Sequence, residues 1–173
     1  MLKTLYALPH SIRTFRQGQY LFHQGDLIET MFLVELGEAR LVRRHRDGNV
    51  VVLQRALAGI FLAEASLFAK HYHCDAIATT RTNVRLISRA LMKELFENDK
   101  SFAVSWTVYL ADEIRGARLR AEILSLKTVS ERLDAWIADR GHFPVKGSWK
   151  TVAQEVGTSN EALYREMALR RTR

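Results

Sequence analysis

Glycines at positions 18, 25, 37, 48 and 59 punctuate the first third of the chain, the later ones recurring every eleven or twelve residues. Turn residues at that spacing leave room only for short strands, the pattern of an all-β sandwich or barrel. The segments between them fit. Residues 31–34 run into Gly37, residues 39–42 alternate loosely, and residues 50–53 form a β-branched run. The dipeptide Asp47-Gly48 between the last two predicts a hairpin, because both turn positions need positive φ. A further strand pair is expected at residues 74–80 and 83–87. Together these make a β-roll or barrel of about 75 residues.

The period changes after Ser88. Residues 89–126 contain no proline and one glycine, Gly116, and their apolar positions turn helical. Thr107, Leu110, Ile114, Ala117, Ala121 and Leu124 are spaced alternately by three and four, a heptad seam that predicts pairing with a second helix. Leu110, Ile114, Ala117, Ala121 and Leu124 are therefore the expected dimer interface. The competing use of this helix is packing on its own barrel through Phe102, Trp106 and Tyr109. A second helix carries Val129, Leu133, Trp136 and Ile137 on one face and stops at Arg140-Gly141. Further on, Ser148 is expected to cap a helix over residues 149–156, with Val152, Ala153 and Val156 inward. Gly157 breaks it, and Thr158-Ser159 can cap another helix running to about Arg170. Two short helices joined by a glycine-containing turn make a helix-turn-helix: Ala153 lets them cross closely and Leu163 locks the second onto the first.

Charge points to a partner. Lys plus Arg is 26 against 19 for Asp plus Glu, a net +7 that favours an anionic partner such as nucleic acid. With 47% hydrophobic residues, disorder is excluded for most of the length. The single cysteine, Cys74, excludes an internal disulfide and any all-cysteine metal site within one chain. The most apolar stretch, residues 50–69, is broken by Gln54, Arg55 and Glu64, and residues 1–15 are too short in apolar core for a secretory signal. No membrane contact and a cytoplasmic location are expected. There is no nucleophile elbow or glycine-rich phosphate loop, so no enzyme is expected either. The tempting cluster is His71-Tyr72-His73-Cys74, where two histidines at i, i+2 suggest a cupin metal motif or a haem ligand set. Such a motif wants a glutamate where Ile77 stands, and in a strand His71 and His73 share a face from which Cys74 points away. The expected metal and cofactor content is none.

Three motifs then stand in order. Gly25-Asp26 precedes residues 31–38 (Met-Phe-Leu-Val-Glu-Leu-Gly-Glu), residues 59–68 read Gly-Ile-Phe-Leu-Ala-Glu-Ala-Ser-Leu-Phe, and residues 156–165 read Val-Gly-Thr-Ser-Asn-Glu-Ala-Leu-Tyr-Arg. They resemble the strand and tight turn, the phosphate-binding cassette and the recognition helix of the bacterial regulators of the cyclic-AMP receptor protein and FNR family. The resemblance runs from about residue 12 to residue 170. It implies an α+β fold: a cyclic-nucleotide-binding-like β-roll (a cupin-like jelly roll) over residues 1–98, a dimerisation helix over 99–126, and a helix-turn-helix DNA-binding domain over 127–173. The helix-turn-helix is of the winged type, with the chain stopping about where the wing would begin. A long leading helix is also missing. The implied function is transcription regulation by a homodimer on double-stranded DNA with a two-fold symmetric operator, with RNA polymerase as a further partner.

The same resemblance assigns site residues. Asn160, Glu161 and Arg165 fall at the start of the second helix, where arginine can grip guanine, a carboxylate can accept from cytosine and asparagine can read adenine. Ser148, Lys150 and Ser159 sit at helix starts suited to phosphate oxygens. Arg170, Arg171 and Arg173 are expected to add nonspecific charge. The effector pocket departs from the cyclic-AMP pattern. Glu64 survives, but Ala63 replaces a glycine, Cys74 and Asp75 replace an arginine-serine pair, and Ala117-Arg118 replaces a threonine-serine pair. A carboxylate at Asp75 repels phosphate. The expectation is a degenerate pocket that does not take cyclic AMP. The alternatives are a small cupin-like metalloenzyme, a haem- or metal-sensing protein, and an interaction module without DNA binding.

Overall fold

The computed structural model describes residues 2–44 and 50–171. The Asp47-Gly48 hairpin turn and Arg173 lie outside the described residues. The chain divides into two compact units, Met1–Leu110 and Ala111–Arg173.

In the first unit a short helix α1 (Leu2–Ala7) precedes β1 (His10–Phe15), β2 (Tyr20–Phe22), β3 (Thr30–Leu36), β4 (Ala39–Arg44), β5 (Val50–Ala56), β6 (Phe61–Leu62), β7 (Asp75–Ala78) and β8 (Thr82–Ser88). These pair antiparallel as two four-stranded sheets, ordered β1-β8-β3-β6 and β2-β7-β4-β5. The roll encloses a core that includes Phe15, Leu33, Phe61, Leu67, Cys74 and Ile87. Sequence periodicity misses β1, β2 and β6. Only Phe15 of β1 is buried, and β2 and β6 have three and two residues, so their partners make them strands rather than any apolar run. The strand expected over 74–80 shortens to β7, because Thr79 and Thr80 turn away to donate their N–H groups to the Glu38 carbonyl.

The helical stretch after Ser88 divides into α2 (Arg89–Asn98) and α3 (Lys100–Ser125). Asp99 separates them, its carboxylate accepting from the Phe102 N–H at 3.0 Å as a cap for α3. Phe102 and Trp106 are fully buried in the roll core, and Leu110 packs partly against it. The start of α3 therefore does what the competing sequence expectation required.

The second unit holds the rest of α3, then α4 (Val129–Arg140), α5 (Trp149–Glu155) and α6 (Asn160–Arg171). Its core is Ile123, Leu133, Trp136, Trp149, Val152, Ala153, Val156, Leu163 and Met167; the apolar spacing marks Leu133, Trp136, Val152, Ala153, Val156 and Leu163 but not Ile123, Trp149 or Met167. Thr128 and Glu131 close a capping box on α4, and Gly141 ends it at φ +69°. Arg132 donates to the carbonyls of Leu126 (2.8 Å) and Gly157 (2.9 Å), so one guanidinium satisfies carbonyls at the C-terminal ends of two helices. Ser148 is not the expected cap. A 3₁₀ turn, Lys146–Ser148, leads into α5, and the Ser148 hydroxyl donates back to Val145 O at 2.9 Å.

Candidate nucleic-acid interface and effector cassette

The α5–α6 turn is built as a helix-turn-helix requires. Gly157 lies at φ +63°, and a Cβ there would sit 2.3 Å from Leu124 Cδ2. The Thr158 N–H reaches back to Ala153 O at 2.9 Å, closing the α5 end in the manner of a Schellman turn. Ser159 then caps α6, its hydroxyl oxygen accepting from the Ala162 N–H at 3.1 Å. Leu163 and Ala153 are fully buried between the helices.

This positions the DNA candidates unequally. Arg165 is exposed, and among the described residues its guanidinium has no ion-pair partner. Glu161 does not pair with it. Its carboxylate turns back to its own backbone N–H and then to the Ser159 hydroxyl, which holds it below the usual carboxylate range. Asn160 is half-buried at the first helical position, and Ser159 is exposed but engaged as the cap. Lys150 is exposed in the first turn of α5, whereas the Ser148 hydroxyl hydrogen is spent on Val145.

The tail corrects another expectation. Arg170 is no free surface charge: it donates to Asp134 at 2.5 Å, Glu166 at 2.7 Å and Ser130 O at 3.0 Å, tying α6 to α4. This accounts for a glutamate at position 166, whose hydrogen bond from Arg170 lowers its pKa. Arg171 lies over the Trp149 ring at 5.2 Å, and Tyr164 packs on that ring from α6 at the same centroid distance. Sequence reading did not single out Tyr164 or Trp149. Their spacing falls on the helix face but carries no polar signature.

In the first unit the cassette closes on itself. Ala63 adopts the left-handed conformation at φ +53°, the conformation a glycine takes without strain. Glu64 accepts from Gln54 Nε2 at 2.7 Å, and the same amide nitrogen donates to Phe61 O at 3.0 Å. Gln54 Oε1 accepts from the Ala63 N–H at 3.2 Å, so one buried side chain spans the cassette. Tyr109 of α3 joins it, its hydroxyl oxygen accepting from the Phe61 N–H at 3.1 Å. Cys74 is fully buried, and burial first, against the opposing charge of Arg43, pushes its thiol up to about 11. Asp75 alternates outward, where its carboxylate accepts from the Gln24 N–H at 2.8 Å with His23 at 3.5 Å. Arg43 stands one residue beyond the Val42–Asp75 pair of the β4–β7 ladder, opposite Cys74. Gln54 and Arg43 were not foreseen, since no local motif marks which strand residues face the cassette. Ala117 and Arg118 are exposed on α3 in the second unit.

His71 and His73 are exposed while Tyr72 and Cys74 are buried, the alternation that keeps the histidines and the thiol on opposite faces. Among the described residues no group of three or more His, Cys, Asp or Glu is placed to hold a metal. No described helix is long and apolar enough to cross a membrane.

The elements make up a two-sheet β-roll with an internal cassette, a long helix and a helix-turn-helix, the architecture of the cyclic-nucleotide-binding class. The family model of the cyclic nucleotide-binding domain matches residues 12–99, half of the chain. The chain belongs to that family, and regulators of the cyclic-AMP receptor protein type are among the proteins it is similar to. It is 29% identical over 122 residues to the cyclic AMP receptor protein of Thermus thermophilus, covering 70% of this chain and 56% of that protein. The chain thus spans little more than half the length of that relative. Among solved structures it is similar to FixK2 from Bradyrhizobium japonicum, with TM-score 0.74 and 22% identity over 95% of this chain and 86% of that one. The catabolite activator protein of Thermus thermophilus matches with TM-score 0.56 and 26% identity over 92% of this chain and 78% of that one.

Proposed function

We propose that the chain is a homodimeric, cytoplasmic transcription regulator and not an enzyme. It reads a two-fold symmetric DNA operator through α6 of each copy, with RNA polymerase as the partner that such regulation addresses. The observation that carries this reading is Arg165: exposed, unpaired among the described residues, and one turn inside a helix whose start is set by Gly157 and Ser159. Arginine so placed offers two parallel donors to guanine O6 and N7. Lys150, one helix earlier, is suited to a phosphate, which positions the protein without reading sequence. Pairing through Ile114, Ala117 and Ala121, all exposed on α3, sets two such helices for grooves roughly 34 Å apart. The β-roll works without cyclic AMP, because Gln54 already takes up the Glu64 carboxylate and the Ala63 N–H.

A binding-site selection on random duplex DNA with the wild type, Arg165→Ala and Lys150→Ala tests the reading. Arg165→Ala is expected to cost about 1–3 kcal/mol on the preferred operator and to relax one guanine in each half-site. Lys150→Ala weakens all sequences alike and makes the salt slope shallower by roughly one. Retention of every base preference by Arg165→Ala overturns the recognition face.

A further inference from the structure

The first unit carries a second polar feature, remote in sequence from the cassette residues. β1 and β8 pair as far as Phe15 opposite Thr82. One residue beyond that pair, Arg16 leaves β1 and Arg81 enters β8, so the ladder brings two arginines to the same end of the sheet. They line one open hollow of about 800 Å³ together with Thr14, Gln17 and Gln19. Like charges set opposite each other at a strand pair are destabilising unless something of opposite sign lies between them. Among the described residues no carboxylate pairs with either guanidinium. Glu38, the acidic residue whose backbone holds the Arg81 loop, is taken by Arg40 at 2.6 Å and Arg55 at 2.7 Å.

Both arginines sit on turns that are held firmly. Gln19 N–H donates to Arg16 O at 3.0 Å, Arg16 N–H to Gln19 Oε1 at 2.6 Å, and Gly18 N–H to Ala78 O at 2.8 Å. On the other side, the hydroxyls of Thr79 (3.2 Å) and Thr82 (2.9 Å) both donate to Glu38 O, and the Glu38 N–H donates to Thr80 Oγ1 at 2.9 Å. Gly37 is packed so closely that a Cβ would lie 2.3 Å from Arg81 O. The Gln19 amide oxygen is occupied by Arg16 N–H, which leaves its NH₂ as a donor. The turn backbones are therefore fixed, and from them two exposed guanidiniums and two exposed amides line a hollow of mixed polar and apolar surface.

We propose that Arg16 and Arg81, with the Gln17 and Gln19 amides, form a binding site for the phosphate group of a small molecule, distinct from the cassette. A tetrahedral dianion has acceptors enough for two guanidinium forks and the amides, and it removes the repulsion between them. The volume admits an ester as well as free phosphate. This site does not depend on DNA binding by α6.

The test is amide NMR of the full chain titrated at constant ionic strength with inorganic phosphate, with glucose 6-phosphate, and with chloride as control. Saturable shifts at Arg16, Gln17, Gly18 and Arg81 are expected with phosphate or its ester and not with chloride. Tighter binding of the ester identifies an organic phosphate as ligand; equal binding identifies the free ion. Arg16→Gln/Arg81→Gln should weaken binding at least about tenfold. In phosphate-free, low-salt buffer the same double variant should melt no lower than the wild type, because it loses a repulsion. Shifts that chloride reproduces, no saturable shift with either phosphate compound, or an unchanged affinity in the double variant overturns the proposal.

Discussion

At the scale of single residues, positions that break a local rule have identifiable neighbours. Gly157 combines positive φ with a close approach to Leu124. Gly157→Ala is expected to destabilise the second unit by about 1–2 kcal/mol from the left-handed backbone, visible as an earlier denaturant midpoint. Glu38 titrates abnormally for a legible reason. Burial raises its carboxyl, but hydrogen bonds from Arg55 and Arg40, helped by their charges, hold it at about 2. A carboxylate depressed in the folded state stabilises fully above its unfolded value of 4.5, and that contribution is lost as pH falls toward 2. Glu38→Gln should therefore flatten the fall in melting temperature between pH 4.5 and 2, measured by circular dichroism. A slope identical to wild type counts against the network. Cys74 supplies the opposite sign: buried and held as a thiol, it should resist an aromatic disulfide reagent at neutral pH until denaturant is added.

At the scale of elements, α3 has two occupations along its length. Phe102 and Trp106 anchor its first turns in the roll, and Leu110 leans on the same core, whereas Ile114 is 51% exposed and belongs to neither core among the described residues. Ile114→Glu is therefore a cleaner probe of pairing than a charge at Leu110, which disturbs the roll itself. Across a two-fold axis it places two carboxylates face to face, and sedimentation should report monomer with an unchanged melting temperature of the roll. A dimer of native stability would move the interface elsewhere. The link between α4 and α6 is electrostatic. Arg170→Ala should lower stability by about 1–3 kcal/mol and return the Glu166 carboxyl toward its ordinary range, since the guanidinium is its main stabiliser. Carboxyl-carbon NMR reads that shift directly.

At the scale of the whole molecule, the prediction is negative and specific. The cassette glutamate, the amide oxygen above it and the Ala63 N–H are already hydrogen-bonded within the protein, and the position opposite Arg43 holds an apolar thiol. Cyclic AMP must break those bonds without regaining a phosphate-holding arginine at residue 74. Calorimetry should show no binding at micromolar concentration, and Gln54→Ser should not by itself create it. Micromolar cyclic-AMP affinity in the wild type would refute a self-closed cassette.

What the sequence determined by itself was the order of parts. Glycines every eleven or twelve residues are read locally, because a turn at positive φ is a property of three or four residues. The switch to helical period after Ser88 and the stop at Gly141 are local in the same sense. So is the Ala153, Gly157, Leu163 pattern, which needs only two adjacent helices. Tertiary structure decided everything that joins distant residues: that the sparse β1 becomes a strand through β8, that Gln54 spans to Glu64 and Ala63, that Arg170 reaches Asp134, and that Arg16 meets Arg81. No short window contains both members of those pairs. They come together only because antiparallel ladders and helix crossings lay separate segments side by side, where burial and charge then select which contacts persist.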